Sequence, residues 1–154
     1  MAKNGFSMSN RVAVETVTTG TKTLTADDCG KVVVLKRAAG SSITLPASPA
    51  EAGAGWNVTF LVETDVSSNS YGIFATEEDV FIGALTGVSI SDAPSTTPIA
   101  FTANETTHDA IEMNGTTTGG RRGTRIKIIS NGSHWLVNGT NVCSGSSLSP
   151  FTGG

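Results

Sequence analysis

Charged side chains, aromatic residues and cysteines are all scarce in this chain of 154 residues. Charged residues make up 15% of the sequence, well below the roughly 25% of an ordinary soluble domain. Ten basic residues against 13 acidic ones give a formal charge of -3. This acidic balance argues against a nucleic-acid coat and against a polybasic membrane binder. We therefore expect neither a nucleic-acid partner nor a membrane partner.

Long apolar segments are also missing. No apolar run approaches the ~18 residues that a membrane-spanning helix needs. The first residues, MAKNGFSMSNR, do not contain the apolar stretch of a secretory signal peptide. The sequence therefore predicts neither a spanning helix nor a cleaved leader.

The two cysteines, Cys29 and Cys143, lie far apart in the sequence. A disulfide framework needs more cysteines, and a structural zinc site needs closely spaced pairs. No H-x-x-x-H or C-x-x-C spacing is present. We expect two free thiols, no metal site and no cofactor.

What the chain does contain is short stretches rich in valine, isoleucine and threonine. Branched side chains of this kind pack well on a pleated sheet and crowd the turns of a helix. About ten such stretches alternate with turn residues, as expected for short strands. The clearest runs from Trp56 to Val62, where every second residue is large and apolar.

A second clear signal is a β-hairpin near the end of the chain. Ile126–Ser130 is joined by Asn131-Gly132 to Ser133–Val137. Asn-Gly favours a two-residue type I′ turn. That turn would place Ile128 opposite Trp135 and Ile126 opposite Val137.

These strands predict an all-β fold, an antiparallel β-sandwich or β-barrel of short strands. We divide the chain into a polar N-terminal arm (1–11), a single β domain (12–140) and an irregular Ser/Gly-rich tail (141–154). The apolar side chains are few for this length, so we expect subunit contacts to supply part of the stability.

Catalytic patterns are weak. His108 precedes Asp109 and serine is abundant, but no G-x-S-x-G motif is present. We interpret His108 and His134 as surface or half-buried strand residues. The acidic run 77–79 contains carboxylates that would suit Ca²⁺, but adjacent strand residues point to opposite faces, so we interpret it as a solvated turn. We expect no enzyme activity.

Basic residues concentrate in one segment that contains Arg121, Arg122, Arg125 and Lys127. Three interpretations remain open: a charged strand end that discourages edge pairing, a contact with an acidic protein, and, least favoured, nucleic acid. No aromatic residue lies beside these arginines to stack on bases. The polar arm is either a disordered end or a segment that docks through Phe6.

Two stretches resemble a known group of proteins. The first is T-L-T-A-D-D-C-G-K-V-V-V-L from Thr23 to Leu35, continued by Ala38-Ala39-Gly40 and by I-T-L-P at 43–46. The second is R-I-K-I-I-S-N-G-S-H-W-L-V from Arg125 to Val137. Together they resemble small bacteriophage structural proteins, the head-decoration and fibre proteins. The matching motifs belong to the scaffold, so they imply no catalytic or ligand-binding residues.

The resemblance implies a virion protein on the outside of a phage capsid, made in the host cytoplasm. Such proteins are typically homotrimers that bind the major capsid protein and stabilise the shell as decoration or cement. Our hypothesis for the capsid contact combines arm residues with the basic segment: Lys3, Phe6, Arg11, Arg121, Arg122 and Arg125.

Two alternatives stay open at this point. A tail or head-fibre module would bind a host glycan or receptor, and it would need an exposed aromatic platform, for which Tyr71, Phe74 and Phe81 are the candidates. A hydrolase using His108 or Glu77 is the third and least favoured interpretation.

Overall fold

A computed structural model of the chain describes residues 11–76, 79–90 and 97–153. These residues form one turn of α-helix, α1 (Pro49–Ala52), a 3₁₀ turn (Ala26–Asp28), and short strands. The strands are β1 (Val14–Val17), β2 (Thr21–Thr23), β3 (Val32–Leu35), β4 (Ser41–Thr44), β5 (Asn57–Val62), β6 (Tyr71–Phe74), β7 (Phe81–Ser89), β8 (Ile99–Thr102), β9 (Ala110–Met113), β10 (Arg125–Ser130), β11 (Trp135–Cys143) and β12 (Phe151–Thr152). Within the described ranges, no helix is long and apolar enough to cross a bilayer.

The strands form two mixed sheets. One has seven strands in the order β1-β3-β5-β10-β11-β7-β8, and the other has five in the order β12-β9-β6-β4-β2. The all-β prediction is confirmed. The sheets are not purely antiparallel, however, and among the described residues neither closes into a barrel.

The departure from antiparallel pairing comes from how the first half of the chain winds. Strands β1, β3 and β5 lie side by side and parallel in one sheet, and β2, β4 and β6 do the same in the other. Each short connection carries the chain to the opposite sheet, so every second strand returns in the same direction. These six strands are three coils of a two-sided β-solenoid. A period-two pattern does not specify strand direction, which is why the sequence did not reveal the coils.

The later strands extend this solenoid at one end through antiparallel pairs. Strand β10 pairs with β5, and β9 pairs with β6. The inward-facing residues then form matched rows. One sheet aligns Val33, Phe60 and Ile126, and the other aligns Ile43, Ile73 and Ile111. All six are at most 1% exposed and belong to one hydrophobic core, so the two sheets bury their apolar faces together.

Strand β5 confirms the clearest prediction from the sequence. Trp56, Val58, Phe60 and Val62 are all buried, while the residues between them are partly exposed. The Trp56 indole N–H donates to the carbonyl of Thr25 at 3.1 Å. Its ring packs edge-on against Trp135, with ring centroids 5.4 Å apart. The two tryptophans therefore pack against each other inside the core.

The predicted hairpin forms between β10 and β11, but its register is displaced by two residues. Ile128 lies opposite Val137, Ile126 opposite Gly139, and Ser130 opposite Trp135. The expected Ile128–Trp135 and Ile126–Val137 pairs are therefore wrong, although all these isoleucine, tryptophan and valine side chains still face the core.

The cause is a four-residue turn in place of the predicted two-residue turn. The side-chain oxygen of Asn131 accepts from the amides of Ser133 and His134. The Ser130 hydroxyl accepts from the amide of Gly132 at 3.0 Å. These side-chain bonds stabilise the wider turn.

The C-terminal segment is more regular than the predicted tail. Strand β11 continues to Cys143, past the expected domain boundary at 140, and β12 pairs with β9. Phe151 is 5% exposed and belongs to the core. The period-two pattern is weak here because glycine and asparagine interrupt it. Of the predicted arm, residues 1–10 lie outside the described residues.

The substitution Gly83→Ala tests how closely the parallel strands β7 and β11 approach each other. Its φ is +125°, and a Cβ at this position would lie 2.1 Å from the carbonyl oxygen of Val137 in the neighbouring β11. We expect Gly83→Ala to lower the free energy of unfolding by roughly 2–4 kcal/mol. Gly145→Ala is the control, because a Cβ there meets nothing closer than 3.9 Å. Equal denaturation midpoints for the two variants would contradict this account.

Candidate binding surface

Within the described residues, the outer face of the seven-stranded sheet is a candidate surface for a partner. Side chains that point away from the core align in rows across it: one row joins Val14, Val32, Thr59, Lys127 and Asn138, and the next joins Thr16, Val34, Leu61, Arg125 and Thr140. The valines near β1 are the most exposed, with Val12 at 57% and Val14 at 64%. The face is therefore apolar at the β1 edge and becomes basic at β10.

Arg125 and Lys127 form a ridge between two shallow depressions on this face. One depression, of about 310 Å³, lies toward β1 and is lined by Val12, Gly30, Val32, Asn57, Thr59 and Leu61 as well as the two cations. The other, of about 260 Å³, lies over β11 and is lined by Asn138, Gly139 and Thr140 with the same cations. Cations flanked by amide and hydroxyl groups suit a carboxylate-bearing partner surface.

Sequence reasoning placed Arg125 in the contact set and left Lys127 out of it. The two residues are separated by one position on β10 and point to the same face. Strand alternation alone would have paired them. We call Arg125 and Lys127 the basic ridge.

Arg121 and Arg122, unlike the two residues of the basic ridge, are ion-paired with one carboxylate. Both precede β10, and both contact Asp65. The Arg121 guanidinium lies 3.0 Å from the Asp65 carboxylate. The backbone amide of Arg122 donates to that carboxylate at 2.7 Å, while its side chain is 74% exposed. Asp65 thus neutralises part of the charge of the predicted basic segment. The charge of Arg125 is therefore more available to a partner than the charges of Arg121 and Arg122.

The remaining predicted contact residues divide between the exposed edge and the undescribed arm. Arg11 is exposed just before β1. Lys3 and Phe6 lie outside the described residues. The structure therefore places Arg11 just before the edge strand β1, and Arg125 on the ridge beside the valine-rich depression.

A network of four charges lies at the β1–β2 end of the core. Glu15 and Lys22 occupy the inward positions of β1 and β2, in the rows that hold Val33 and Ile43 in the next coil. Their side chains meet at 2.5 Å. Lys31 bridges Glu15 at 3.2 Å and the buried Asp28 at 2.5 Å. The apolar interior therefore ends in an ion-paired cap.

Asp28 also holds the 3₁₀ turn in place. Its carboxylate accepts from the amide of Thr25 at 2.8 Å and from the Thr25 hydroxyl at 3.2 Å. Burial by itself would raise the pKa of Asp28, but the hydrogen bonds from Lys31 and Thr25 outweigh it and lower that pKa. Hydrogen bonding from Lys22 lowers the pKa of Glu15, and Asp28 and Glu15 raise the pKa of Lys31.

The two histidines and the two cysteines lie apart from one another, and each has its own local contacts. The His108 ring stacks on Phe151 with centroids 5.9 Å apart, and its Nδ1 accepts from the amide of Asn104 at 3.1 Å. His134 is exposed in the β10–β11 turn. Cys29 is an exposed thiol and Cys143 a buried one.

The acidic run of the sequence is only partly described. Glu77 and Glu78 lie outside the described residues. Within the described ranges, no three histidine, cysteine or acidic side chains converge as metal ligands. The calcium interpretation of 77–79 gains no support from the residues that are placed.

The aromatic candidates for a glycan platform are mostly in the core. Tyr71 and Phe81 are fully buried, and the Tyr71 hydroxyl donates to the carbonyl of Thr64 at 2.9 Å. Phe74 is partly buried and lies across Gly72, where an added Cβ would meet its ring at 2.4 Å. Two of the three aromatic rings are therefore not available to a sugar.

Comparison of the chain with protein-family models, with curated proteins and with solved structures found no match.

The charge network predicts how stability depends on pH. Because the pKa of Asp28 is lower in the folded state, its contribution is present above the ordinary aspartate pKa of about 3.9 and is lost as pH falls below it. We expect Asp28→Asn to reduce the free energy of unfolding at neutral pH by roughly 1–3 kcal/mol. The difference in the free energy of unfolding between the variant and the unmodified protein should become smaller as the pH is lowered. Urea denaturation at several pH values measures this difference.

Glu63→Gln is the matched control for Asp28→Asn. Glu63 also pairs with a lysine, Lys36 at 2.7 Å, but the two side chains are 52% and 49% exposed. Solvent screens such a pair, so the control should change stability by less than about 1 kcal/mol. A control as destabilising as Asp28→Asn would mean that the network does not cap the core.

Proposed function

We propose that this protein is a structural component of a bacteriophage virion, a decoration or cement protein that binds the outer surface of the capsid as a homotrimer and stabilises the shell. The major capsid protein is its partner. It needs no cofactor and carries out no reaction. The protein would be made in the host cytoplasm and would act on the outside of the assembled head.

The observation that carries the proposal is the outer face of the seven-stranded sheet. This face joins exposed valines at β1 to the basic ridge on β10, with amide and hydroxyl groups between them. Apolar surface gives affinity, and the two cations orient an acidic partner. Both depressions are open to solvent and lie on one sheet face, as a contact with another protein surface requires.

The motifs that resemble phage head proteins are scaffold elements in the fold. Thr23–Leu35 contains the 3₁₀ turn with its Asp28 cap and leads into the second solenoid coil. Arg125–Val137 contains β10 and the start of β11, and so carries the basic ridge. The resemblance therefore covers both the element that caps the core and the element that presents the proposed contact.

Shell stabilisation follows from mass action. A protein that binds the assembled shell and has no affinity for separated capsid subunits stabilises the shell by its binding free energy. In a trimer, three modest contacts act together, so the overall affinity exceeds that of one subunit. The sequence has few large apolar side chains for its length, which is a further reason to expect association.

The three aromatic candidates for a glycan platform give the receptor-binding alternative no support. Tyr71 and Phe81 are buried and Phe74 packs on the sheet, so no aromatic platform forms from these three residues.

The proposal predicts saturable binding to purified heads that lack this protein. We expect Arg125→Glu to weaken binding by about tenfold or more, because one charge-assisted contact becomes repulsive. Binding isotherms at two salt concentrations measure the loss, which should shrink at high salt. Light scattering with size separation should give the molar mass of a trimer.

Lys36→Glu is the charge-matched control, since it makes the same change of charge at an exposed lysine that lines neither depression and, within the described residues, pairs only with the exposed Glu63. It should leave head binding nearly unchanged. Equal losses for both variants would show that binding responds only to net charge. Absence of saturable binding to heads would overturn the proposed function.

A further inference from the structure

The basic ridge, Arg125 and Lys127, lies on β10, which is the fourth of the seven strands across its sheet. Within the described residues, neither of these side chains forms an ion pair. The other described lysines, Lys22, Lys31 and Lys36, each pair with a carboxylate of the chain. The ridge therefore carries positive charge that the described part of the chain does not neutralise.

The position of the ridge determines what a partner must bring to it. Three strands lie on each side of β10, so a protein that covers the outer face of this sheet also covers the ridge. A charge that is taken out of water without a counter-charge weakens a complex, and the loss is greatest at the centre of an interface. The partner must therefore supply negative charge over the ridge itself.

Each cation of the ridge has a neutral hydrogen-bonding neighbour on β11. Lys127 lies directly opposite Asn138, and Arg125 lies directly opposite Thr140. Both neighbours are exposed, so their amide and hydroxyl groups can donate to an anion. A carboxylate accepts several hydrogen bonds, and at either cation it would meet one charged donor and one neutral donor. The ridge therefore offers two adjoining carboxylate subsites.

The spacing of the two subsites is that of an extended chain. Arg125 and Lys127 are two positions apart on one strand, which separates their Cα atoms by about 6.4–6.8 Å. Acidic residues at alternate positions of an extended partner segment have the same separation and point to the same side. Adjacent acidic residues of such a segment point to opposite sides, and neighbouring side chains on one face of a helix are only about 5–6 Å apart.

We propose that the partner at the basic ridge is an extended acidic segment of a protein, with Asp or Glu at alternate positions and one carboxylate over each of Arg125 and Lys127. The inference rests on the proposed function and deepens it, because it gives the chemistry of the capsid surface that this sheet face contacts. A single small anion such as phosphate would be shared by the two cations and would not need two subsites.

Two cyclic hairpin peptides of identical composition and charge test the spacing. One carries Asp-Thr-Asp on a strand, so its two carboxylates share a face, and the other carries Asp-Asp-Thr, so its carboxylates point to opposite faces. Cyclisation holds both peptides extended before they bind. In NMR titrations of the labelled protein, the Asp-Thr-Asp peptide should bind roughly three- to fivefold more tightly, with shifts in β10 and β11.

Neutral variants test whether the ridge receives the two carboxylates. Arg125→Gln and Lys127→Gln should each weaken binding of the Asp-Thr-Asp peptide by about three- to fivefold and remove its preference over the isomer. Lys36→Gln is the charge-matched control, because it removes one positive charge at a lysine that lines neither depression. This control should leave both peptide affinities nearly unchanged.

Equal affinities for the two peptides, or the absence of shifts in β10 and β11, would overturn the inference. Tighter binding of inorganic phosphate than of the Asp-Thr-Asp peptide would also overturn it, since the ridge would then be a site for a single anion.

Binding to heads separates this failure from failure of the proposed function. If Arg125→Glu weakens saturable binding to heads while the two peptides bind equally, the proposed function stands and the inference fails. If the Asp-Thr-Asp peptide is preferred but heads are not bound, the ridge recognises an acidic segment as inferred, and the proposed function fails because the capsid is not the partner.

Discussion

The alternation of the first six strands between two sheets is the constraint on which the rest of this structure depends. A strand in a two-sided solenoid must bury one face against the opposite sheet, so each inward position belongs to a row that continues in the next coil. Val33 and Phe60 extend one such row, and Ile43 and Ile73 extend the other. Dispersion contacts and burial along these rows hold the sheets together. Where a row ends, the interior must be closed.

The two ends of the rows are treated differently. At one end, antiparallel strands from the second half of the chain continue the rows, with Ile126 and Ile111 as the next members. At the other end, Glu15 and Lys22 occupy the same rows and pair with each other. An ion pair there tolerates water, which an exposed row of isoleucines would not. The cap closes the core at strand β1, which pairs with β3 on one side and has no neighbouring strand on the other among the described residues.

The proposed contact surface follows from the same geometry. Residues that alternate with the core rows point outward, so the composition of the outer face depends on which residues fall between the buried ones. In β3 and β5 these are Val32, Val34 and Leu61, and in β10 they are Arg125 and Lys127. A face that is apolar at one side and basic at the other results from strand order, because β3 and β5 precede β10 across the sheet.

Composition and period-two alternation were enough to determine that the chain is all-β, that Trp56 to Val62 is a buried strand, and that Arg125 lies near the end of a strand that pairs with the next. These are local properties, set by side-chain shape and by the alternation of faces. The direction of pairing, the two-residue displacement of the β10–β11 turn, the pairing of β12 and the bond between Asp65 and Arg121 were decided only by the tertiary structure. Each depends on residues that meet across the two sheets or across long intervals of sequence, and a pattern read along one strand does not specify its neighbours.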